Sequence, residues 1–460
     1  MCAIFGIWGV ENMLAAQVVY GGLRSMQHRG TGYSGMVSFC SDAQVYRKVG
    51  RGVVQEVFDT KTVAIDLPGK NVLGHNRYAT VEDNEGDLAL DNAHPMVGSW
   101  HGITISIAHN GNLTNASLLR GLLPAGSCVT NIDTEVILRR FCLAATNDPI
   151  EALKQALDGV RGTYSLCLLL PDMMIAVRDS SGNRPLSIGR RNDGSICVSS
   201  ETCAYQSVDA QYVRDVAPGE IVIIRDGGVS IDFLPTLSSI GHAYCIFELI
   251  YFSAPGSELF GESVARFRIE LGRVLEKHCP ALTGTIVVPV PDSANFIAQG
   301  YAFTGRSGIL QTALLRNHYM GDRSFIEPTP ELRQERILHK FHSIRALVEG
   351  QRVVVVDDSV VRFNTLPHIV SLLRDAGAEE VHCRIAAPLI THSCHYGIYT
   401  PTREELVANR MSVEAMRKAV GANSLEFLPL EVLRGLNQQN KFCYACMDGK
   451  YPPSMEPAEL

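Results

Sequence analysis

The cysteine at position 2 has a chemical option closed to the other cysteines of the chain. Aminopeptidases that remove an initiator methionine act before small side chains. Loss of Met1 would set this thiol beside a free α-amine, which titrates near pH ~8 and can serve as a general base without a histidine. Position alone favours an inert thiol, because free cysteine is among the most buried residue types. Other segments supply what an acyl-transfer reaction at such a thiol would need. In IAHNGNLTN, Asn110 and Gly111 follow a predicted strand, where a side-chain amide and a backbone N–H can point together at a developing oxyanion. Alone, NGN is only a turn signal. GHNRYAT supplies Arg77, able to hold a carboxylate in bidentate fashion. NIDTEV supplies Asp133, which takes an ammonium or caps the following helix, and both roles can hold together.

A second constellation lies in RVVVVDDSVVR, which reads as a buried strand delivering Asp357 and Asp358 to its carboxyl end, where open α/β sheets bind ligands. Adjacent acids there can hydrogen-bond both hydroxyls of a ribose. The loop that follows can cradle a phosphate at a helix N-terminus. Any parallel strand can end in Asp, so the pair alone carries modest weight. Near the C-terminus FCYACMDGKYP gives Cys443 and Cys446 as a C-x-x-C pair, suited to a metal, a redox couple or an iron–sulfur cluster.

The elements that must position these residues change character midway. Up to about residue 235, short β-like runs (AIFGIWG, GITISIAHN, TYSLCLLL, IVIIRDG) alternate with a few helices and many Gly turns, an α+β pattern. One helix is predicted behind an Asp148 cap and Pro149, with Ile150, Leu153, Leu157 and Val160 on one face. From about residue 245, apolar strands (TIVVPVPD, GILQTALL, RVVVVDD, EVHCRIAAP) alternate with helices such as HIVSLLRDAG, implying a parallel sheet covered on both faces. FLPTLSSIGHAY, with Pro, Ser and Gly clustered, is the predicted linker.

Composition sets outer limits. At 460 residues the chain is long enough for two to four domains of about 150 residues, each with its own core. The balance of 41 Lys+Arg against 48 Asp+Glu offers no basic excess for a nucleic-acid surface. Apolar stretches are broken before they reach membrane-spanning length, as at Pro171 and Asp172, so neither a nucleic-acid nor a membrane partner is expected. The first residues lack the basic region of a signal peptide and are interrupted by Glu11. Thirteen cysteines, mostly inside apolar segments, suit a reducing cytoplasm better than a disulfide framework.

Cys2 with AIFGIWG, then SMQHRG, GHNRYAT, AHNGNL, DTEV, RPLSIG and SSETCA, in this order and spacing, resemble the glutaminase domain of the glutamine phosphoribosylpyrophosphate amidotransferases, and the resemblance runs through nearly the whole chain. It implies an N-terminal-nucleophile (Ntn) hydrolase domain of four αββα layers over residues 2–235. A type I phosphoribosyltransferase domain, an α/β fold with a parallel sheet and a Cys-containing tail, would span residues 236–460. By the resemblance Cys2 attacks the glutamine amide, Asn110 and Gly111 form the oxyanion hole, Arg77 and Asp133 hold the α-carboxylate and α-amine, and Arg29 helps shape the pocket. Asp357, Asp358, Ser359, Arg362 and Thr365 form the loop for the ribose 5-phosphate of phosphoribosyl diphosphate (PRPP). Asp292 and Ser293 of VPVPDS lie on the pyrophosphate side. Lys340 and Arg333, in a stretch from Asn317 to Arg345 with SFIEP, belong to a loop that closes over PRPP. Ammonia would pass to the ribosyl carbon with Mg²⁺ assistance, giving phosphoribosylamine. Cys245 and Cys394 match the two positions that join Cys443 and Cys446 in holding a [4Fe–4S] cluster. The family also implies a homodimer or homotetramer.

The sequence departs from the family's pattern at several places. Ala3 stands where Gly is usual, and TGYSG follows QHRG in place of a Gln–acidic pair. Phe363-Asn364 follows Arg362 where Gly-Thr is usual, His318 and Leu338 replace arginines, and GDRSF carries an additional residue. Two further readings therefore accompany the PRPP amidotransferase: a paralogue aminating another phosphorylated or nucleotide-like acceptor, and a non-catalytic nucleotide-binding regulator.

Overall fold

A computed structural model of the chain describes residues 1–10, 14–40, 44–78, 90–226, 228–235, 241–303, 308–317, 340–398, 402–436 and 441–452. His318, Arg333 and Leu338, with SFIEP and GDRSF, lie outside the described residues.

The first half is built on the strands β1 (Ala3–Trp8), β2 (Tyr33–Phe39), β3 (Val45–Arg51), β4 (Asn71–Arg77), β5 (Met96–Trp100), β6 (Ile103–Leu113), β7 (Gly162–Leu170), β8 (Met173–Arg178), β9 (Ser187–Arg191), β10 (Ile196–Ser199), β11 (Ala210–Asp215), β12 (Glu220–Arg225) and β13 (Gly228–Phe233). They form one sheet in the order β11-β9-β10-β1-β4-β2-β3 and another in the order β13-β12-β8-β7-β6-β5. Side chains alternate between faces along a strand, and β1 divides its residues accordingly. Ala3, Phe5 and Ile7 pack beneath the helix Ala15–Ser25. Ile4 and Trp8 face the other sheet, against Leu73, Ala108, Cys167, Leu169 and Met174. On the far side, Ile105, Ile107, Leu166 and Leu168 are covered by the helices Asp133–Cys142 and Pro149–Leu157. The layers run helix, sheet, sheet, helix, as expected of the Ntn-type arrangement. The helix expected behind Asp148 begins there, with the Asp148 carboxylate accepting the Ile150 N–H at 2.8 Å. It ends at Leu157, so Val160 packs from outside the helix.

In the second half a five-stranded parallel sheet runs Ile309–Leu310, Ile286–Pro289, Arg352–Asp357, Glu380–Ile385, Ser424–Phe427. The valines of RVVVVD serve both faces. Val354 and Val356 join the core under the helices Val264–His278 and Asn295–Ala302, while Val353 and Val355 join that under Thr365–Asp375 and Val413–Val420. This two-sided burial is why the strand reads as a continuous apolar run. GILQTALL is not one strand. A turn closed by the Ala313 N–H on the Gln311 carbonyl splits it, and Leu314–Arg316 pairs instead with Phe341–Ser343 in a separate antiparallel ribbon. The C-terminal segment returns to the start of this half, where Tyr244–Cys245 pairs in parallel with Phe442–Cys443.

The helices Val264–His278 and Asn295–Ala302 cross at two glycines. A Cβ on Gly272 would lie 1.9 Å from the Ile297 carbonyl oxygen, and one on Gly300 would lie 1.8 Å from that of Ile269. Gly300→Ala is expected to destabilise the chain by about 1–3 kcal/mol through overpacking. Gly435→Ala, which meets nothing within 4 Å on its helix, should be neutral or slightly stabilising. Equal thermal shifts for the two variants would contradict this crossing.

Candidate active site

Cys2 sits at the entry to β1, whose register with β4 pairs Ala3 with Asn76 and Ile4 with His75. Two-residue alternation therefore turns Cys2, Ile4, His75 and Arg77 to the face that meets the second sheet. On that second sheet β6 carries Asn110, whose side-chain oxygen accepts the Cys2 N–H at 3.3 Å. With Met1 attached this nitrogen is an amide; removal of Met1 converts it to the α-amine. The other end of the same side chain, Asn110 Nδ2, is buried and has no hydrogen-bond partner. An orphaned buried donor is costly and needs a reason, and this one belongs to the side chain that holds the Cys2 N–H. Next to it, Gly111 has no room for a side chain, since a Cβ would lie 2.1 Å from the Thr163 carbonyl oxygen.

The Cys2 thiol is held far from its ordinary acidity. Burial pushes its pKa up, and the neighbouring His75 imidazole, with smaller help from the amino terminus and Tyr78, more than reverses that and brings it down to about 5. His75 Nε2 donates to the His109 carbonyl at 2.9 Å, and its Nδ1 is buried without a partner. His109 Nδ1 in turn approaches Asp133 at 3.7 Å. Burial would raise the Asp133 pKa, but His109 and the Leu113 N–H hold it down at about 2. Asp133 also accepts from its neighbour's N–H, Thr134, at 2.7 Å. Asp133 is the first residue of its helix, after the N-cap Ile132, and its side chain is partly exposed. Arg77 donates to the Asn92 carbonyl and lies close enough to Asp133 to lower its pKa further.

Arg29 is fully buried and acts on the Cys2 backbone. Its Nε donates to the Cys2 carbonyl at 2.8 Å, and its remaining nitrogens reach Glu201 at 2.5 Å and Glu248 at 2.8 and 2.9 Å. All three side chains are fully buried. Its guanidinium is divided between the Cys2 carbonyl and the two buried glutamates. Neither His75, Glu201 nor Glu248 emerged from sequence reasoning as a site residue, although His75 and Glu201 stand in segments singled out there, GHNRYAT and SSETCA. The available signal was Glu248 itself, an acid inside the apolar run CIFELIYF, where burial demands a cation.

At the acceptor end, the strand Arg352–Asp357 delivers its acids as expected. Asp357 and Asp358 are 6% and 4% exposed. Ser293 and Ser359 both donate to Asp358, at 2.5 and 2.6 Å, and Lys340 faces Asp357. Burial pushes both acids up, and the charge of Asp358 raises Asp357 further. Asp292 is turned toward Arg316 at 3.1 Å, and Arg362 toward Glu405 at 3.3 Å. Phe363 adopts φ +67°, the left-handed conformation that glycine enters freely, with its ring packed partly buried on the adjoining core. Thr365 opens the helix that follows.

Cys245, Cys394, Cys443 and Cys446, from three separate segments, line one cavity with Arg184, Asn183, Phe247 and Tyr396. Burial pushes the Cys245 thiol up to about 11 and raises those of Cys443 and Cys446 as well, each further raised by its cysteine neighbours. Among the described residues, no group of three or more His, Cys, Asp or Glu is gathered tightly enough for a single metal ion. A lone zinc would draw four sulfurs to ~2.3 Å from one point.

The low thiol pKa has a direct readout. Alkylation of Cys2 by iodoacetamide, mapped by mass spectrometry, should stay near its maximum at pH 6–7 and fall tenfold per pH unit only below about 5. Cys203, which burial holds up at about 12, should remain unlabelled throughout that range. A Cys2 profile rising only near pH 9 would contradict the arrangement.

Residues 75–206 match the glutamine amidotransferase domain family. Amidophosphoribosyltransferase 1, chloroplastic, of Arabidopsis thaliana is 40% identical over 464 residues, covering 100% of this chain and 79% of the relative. The amidophosphoribosyltransferase of Bacillus subtilis is 39% identical, covering 98% and 94%. Among solved structures, one described as the allosteric regulatory enzyme of purine biosynthesis superposes with a TM-score of 0.90 at 37% identity, over 100% of this chain and 98% of that one. The glutamine PRPP amidotransferase of B. subtilis complexed with ADP and GMP superposes with a TM-score of 0.89 at 38% identity, with the same coverage. By fold and by sequence across its whole length, this chain belongs to the amidophosphoribosyltransferase family.

Proposed function

We propose that this chain hydrolyses glutamine at Cys2 and transfers the ammonia to C1 of PRPP, releasing pyrophosphate and forming 5-phosphoribosylamine, the first step of purine biosynthesis. The observation that carries the reading is the unpartnered, buried Asn110 Nδ2, on the side chain that holds the Cys2 N–H. A donor left empty in the resting site is a donor reserved for charge that appears only during reaction. The thiolate attacks the amide carbon, and the oxygen that becomes negative is received by Asn110 Nδ2 and Gly111. The neutral α-amine freed by loss of Met1, having taken the thiol proton as that thiolate formed, gives it to the departing ammonia, and water then releases glutamate from the thioester. Burial drives the amino group of Met1 down to about 5, and the same surroundings would favour a neutral, basic amine on Cys2. Arg77 and Asp133 select the α-carboxylate and α-amine of glutamine, and Arg29 positions the nucleophile's backbone.

In the acceptor domain Asp357 and Asp358 receive the ribose hydroxyls, the segment from Ser359 to Thr365 with Arg362 receives the 5-phosphate, and Ser293, Asp292 and Lys340 flank the pyrophosphate, which arrives with its Mg²⁺. The glutaminase and acceptor domains occupy residues 2–235 and 236–460. Cys245, Cys394, Cys443 and Cys446 suit a [4Fe–4S] cluster. They are four free sulfur ligands around one cavity, spread more widely than a single ion requires, with the cation Arg184 beside them to balance their negative charge as thiolates. Bound there, the cluster supplies iron–thiolate cross-links tying the C-terminal tail to the start of the acceptor domain. The assembly is a homo-oligomer of the cytoplasm.

Glutamate and pyrophosphate should appear in step from glutamine plus PRPP. Cys2→Ala should abolish glutamine-dependent turnover while ammonium salts still support pyrophosphate release. Asn110→Ala should lower the glutamine-dependent kcat by about 10²–10³-fold. Glutamate without pyrophosphate, unrescued by ammonium, would sink the acceptor assignment.

The loop has its own test. Left-handed φ costs an ordinary residue roughly 1–2 kcal/mol, which Phe363 offsets in part by ring packing. Phe363→Gly should therefore leave thermal stability nearly unchanged while lowering KM for PRPP. An unchanged KM would place Phe363 outside the phosphate loop.

A further inference from the structure

The four-cysteine cavity and the glutamine site belong to different halves of the chain, yet two continuous sets of contacts join them. The first runs through charge. Arg184 lines the cavity and sends Nη1 to Glu248 at 3.4 Å. Glu248 grips Arg29 with both oxygens at 2.8 and 2.9 Å, and Arg29 Nε holds the Cys2 carbonyl at 2.8 Å. Arg184, Glu248 and Arg29 are each 0% exposed in their side chains, so water cannot stand in for any of them. The second runs through backbone. Arg184 Nε donates to the Tyr396 carbonyl at 2.9 Å, two residues after Cys394, and Thr163 of β7 donates to the same oxygen at 3.1 Å. In that loop the His395 carbonyl accepts Asn112 Nδ2 at 2.8 Å. Gly397 abuts the Gly111 carbonyl so closely that a Cβ on it would lie 2.8 Å away. One path ends on the nucleophile's carbonyl and the other on the strand that carries Asn110 and Gly111. Arg184 is the residue common to both.

We propose that Arg184 is a positioning residue for glutamine hydrolysis, and that it ties the filling of the four-cysteine cavity to the placement of Cys2 and its oxyanion donors. The inference rests on the cluster reading given above. Four thiolates bound to iron would fix the Cys394 loop and present net negative charge to Arg184, holding its guanidinium between the cavity and Glu248. With the cavity empty, Arg184 loses that counter-charge and the loop its anchor. The acceptor acids Asp357 and Asp358 lie on neither path, so the effect falls on the glutamine half of the reaction.

The test uses the full chain, purified without oxygen and with Met1 removal confirmed by mass. Iron and acid-labile sulfide per chain are measured first. Their absence from the unaltered protein would overturn the cluster reading without touching the Arg184–Glu248–Arg29 path, which the variants address separately. The second readout is the rate at which a chloroketone analogue of glutamine labels Cys2, followed by mass spectrometry. The third is the ratio of glutamine-dependent to ammonia-dependent pyrophosphate release. Arg184→Met should slow Cys2 labelling at least tenfold and lower the ratio by a similar factor, with Arg184→Lys recovering part of both. Labelling by Arg184→Met at the rate of the unaltered protein, with or without iron, would overturn the proposal. Should the variants fail to fold, iron is withdrawn from the unaltered protein with a chelator while far-ultraviolet circular dichroism is monitored. Labelling that declines in step with iron loss, before the helical signal changes, supports the coupling; labelling that persists overturns it.

Discussion

A carboxylate taken out of water costs several kcal/mol unless a cation comes with it, and Glu248 is buried completely in the segment that opens the second half of the chain. It is answered from the first half by Arg29 and Arg184, while Ser253 fills a remaining site on Glu248 Oε2 at 2.8 Å. Arg29 in turn needs Glu201 to balance it, and Glu201 accepts from Ser257 and from the Ala254 N–H across the same boundary. Two arginines and two glutamates form a neutral set from which no member can be removed without leaving a buried charge. Such a set adds little net stability relative to an apolar core. Its effect is geometric, since every nitrogen of Arg29 has an assigned partner and one of those partners is the backbone of the nucleophile.

The same economy of position separates Cys2 from the other thiols. Burial raises Cys167 and, with smaller opposing effects of Arg191 and Asp193, holds Cys197 at about 12, as expected for a small apolar side chain in a core. Cys2 is buried too, but the β1–β4 register sets it beside His75. A shift of that pairing by one residue would turn His75 to the opposite face and leave an inert thiol. The register is held by the alternating core, with Phe5 and Ile7 under the helix and Ile4 and Trp8 between the sheets. Packing several residues away thus decides the chemistry of the thiol.

This explains what was legible in the sequence. Strands and helices announced themselves through period and caps, from the Asp148–Pro149 start to the valines of RVVVVD, because those signals are local. Motif residues such as Asn110 and Asp133 were legible because their neighbours restrict what they can do. Arg29, His75 and Glu248 acquire their roles from partners as distant in the chain as the 219 positions between Arg29 and Glu248, and nothing in their own segments names those partners. GILQTALL misled for a related reason. Its apolar run continues past the point where the chain leaves one sheet for another ribbon, and hydrophobicity does not mark that exit.

The two ends of the site differ in how complete they are. Around Cys2 the buried positive and negative groups are matched, while Asn110 Nδ2 and His75 Nδ1 are buried without a hydrogen-bond partner. Around Asp357 and Asp358 the matching is partial. Serine hydroxyls satisfy Asp358, yet burial still pushes both acids up, and the charge of Asp358 adds to the rise at Asp357. Two adjacent buried carboxylates cannot both stay ionised without hydroxyl donors or a cation within reach; among the described residues Lys340 lowers Asp357 and Arg268 lowers Asp358, each only in part. The surroundings of Cys2 are therefore set by buried ion pairs, whereas among the described residues burial keeps Asp357 and Asp358 raised despite the opposing Ser293, Ser359, Arg268 and Lys340.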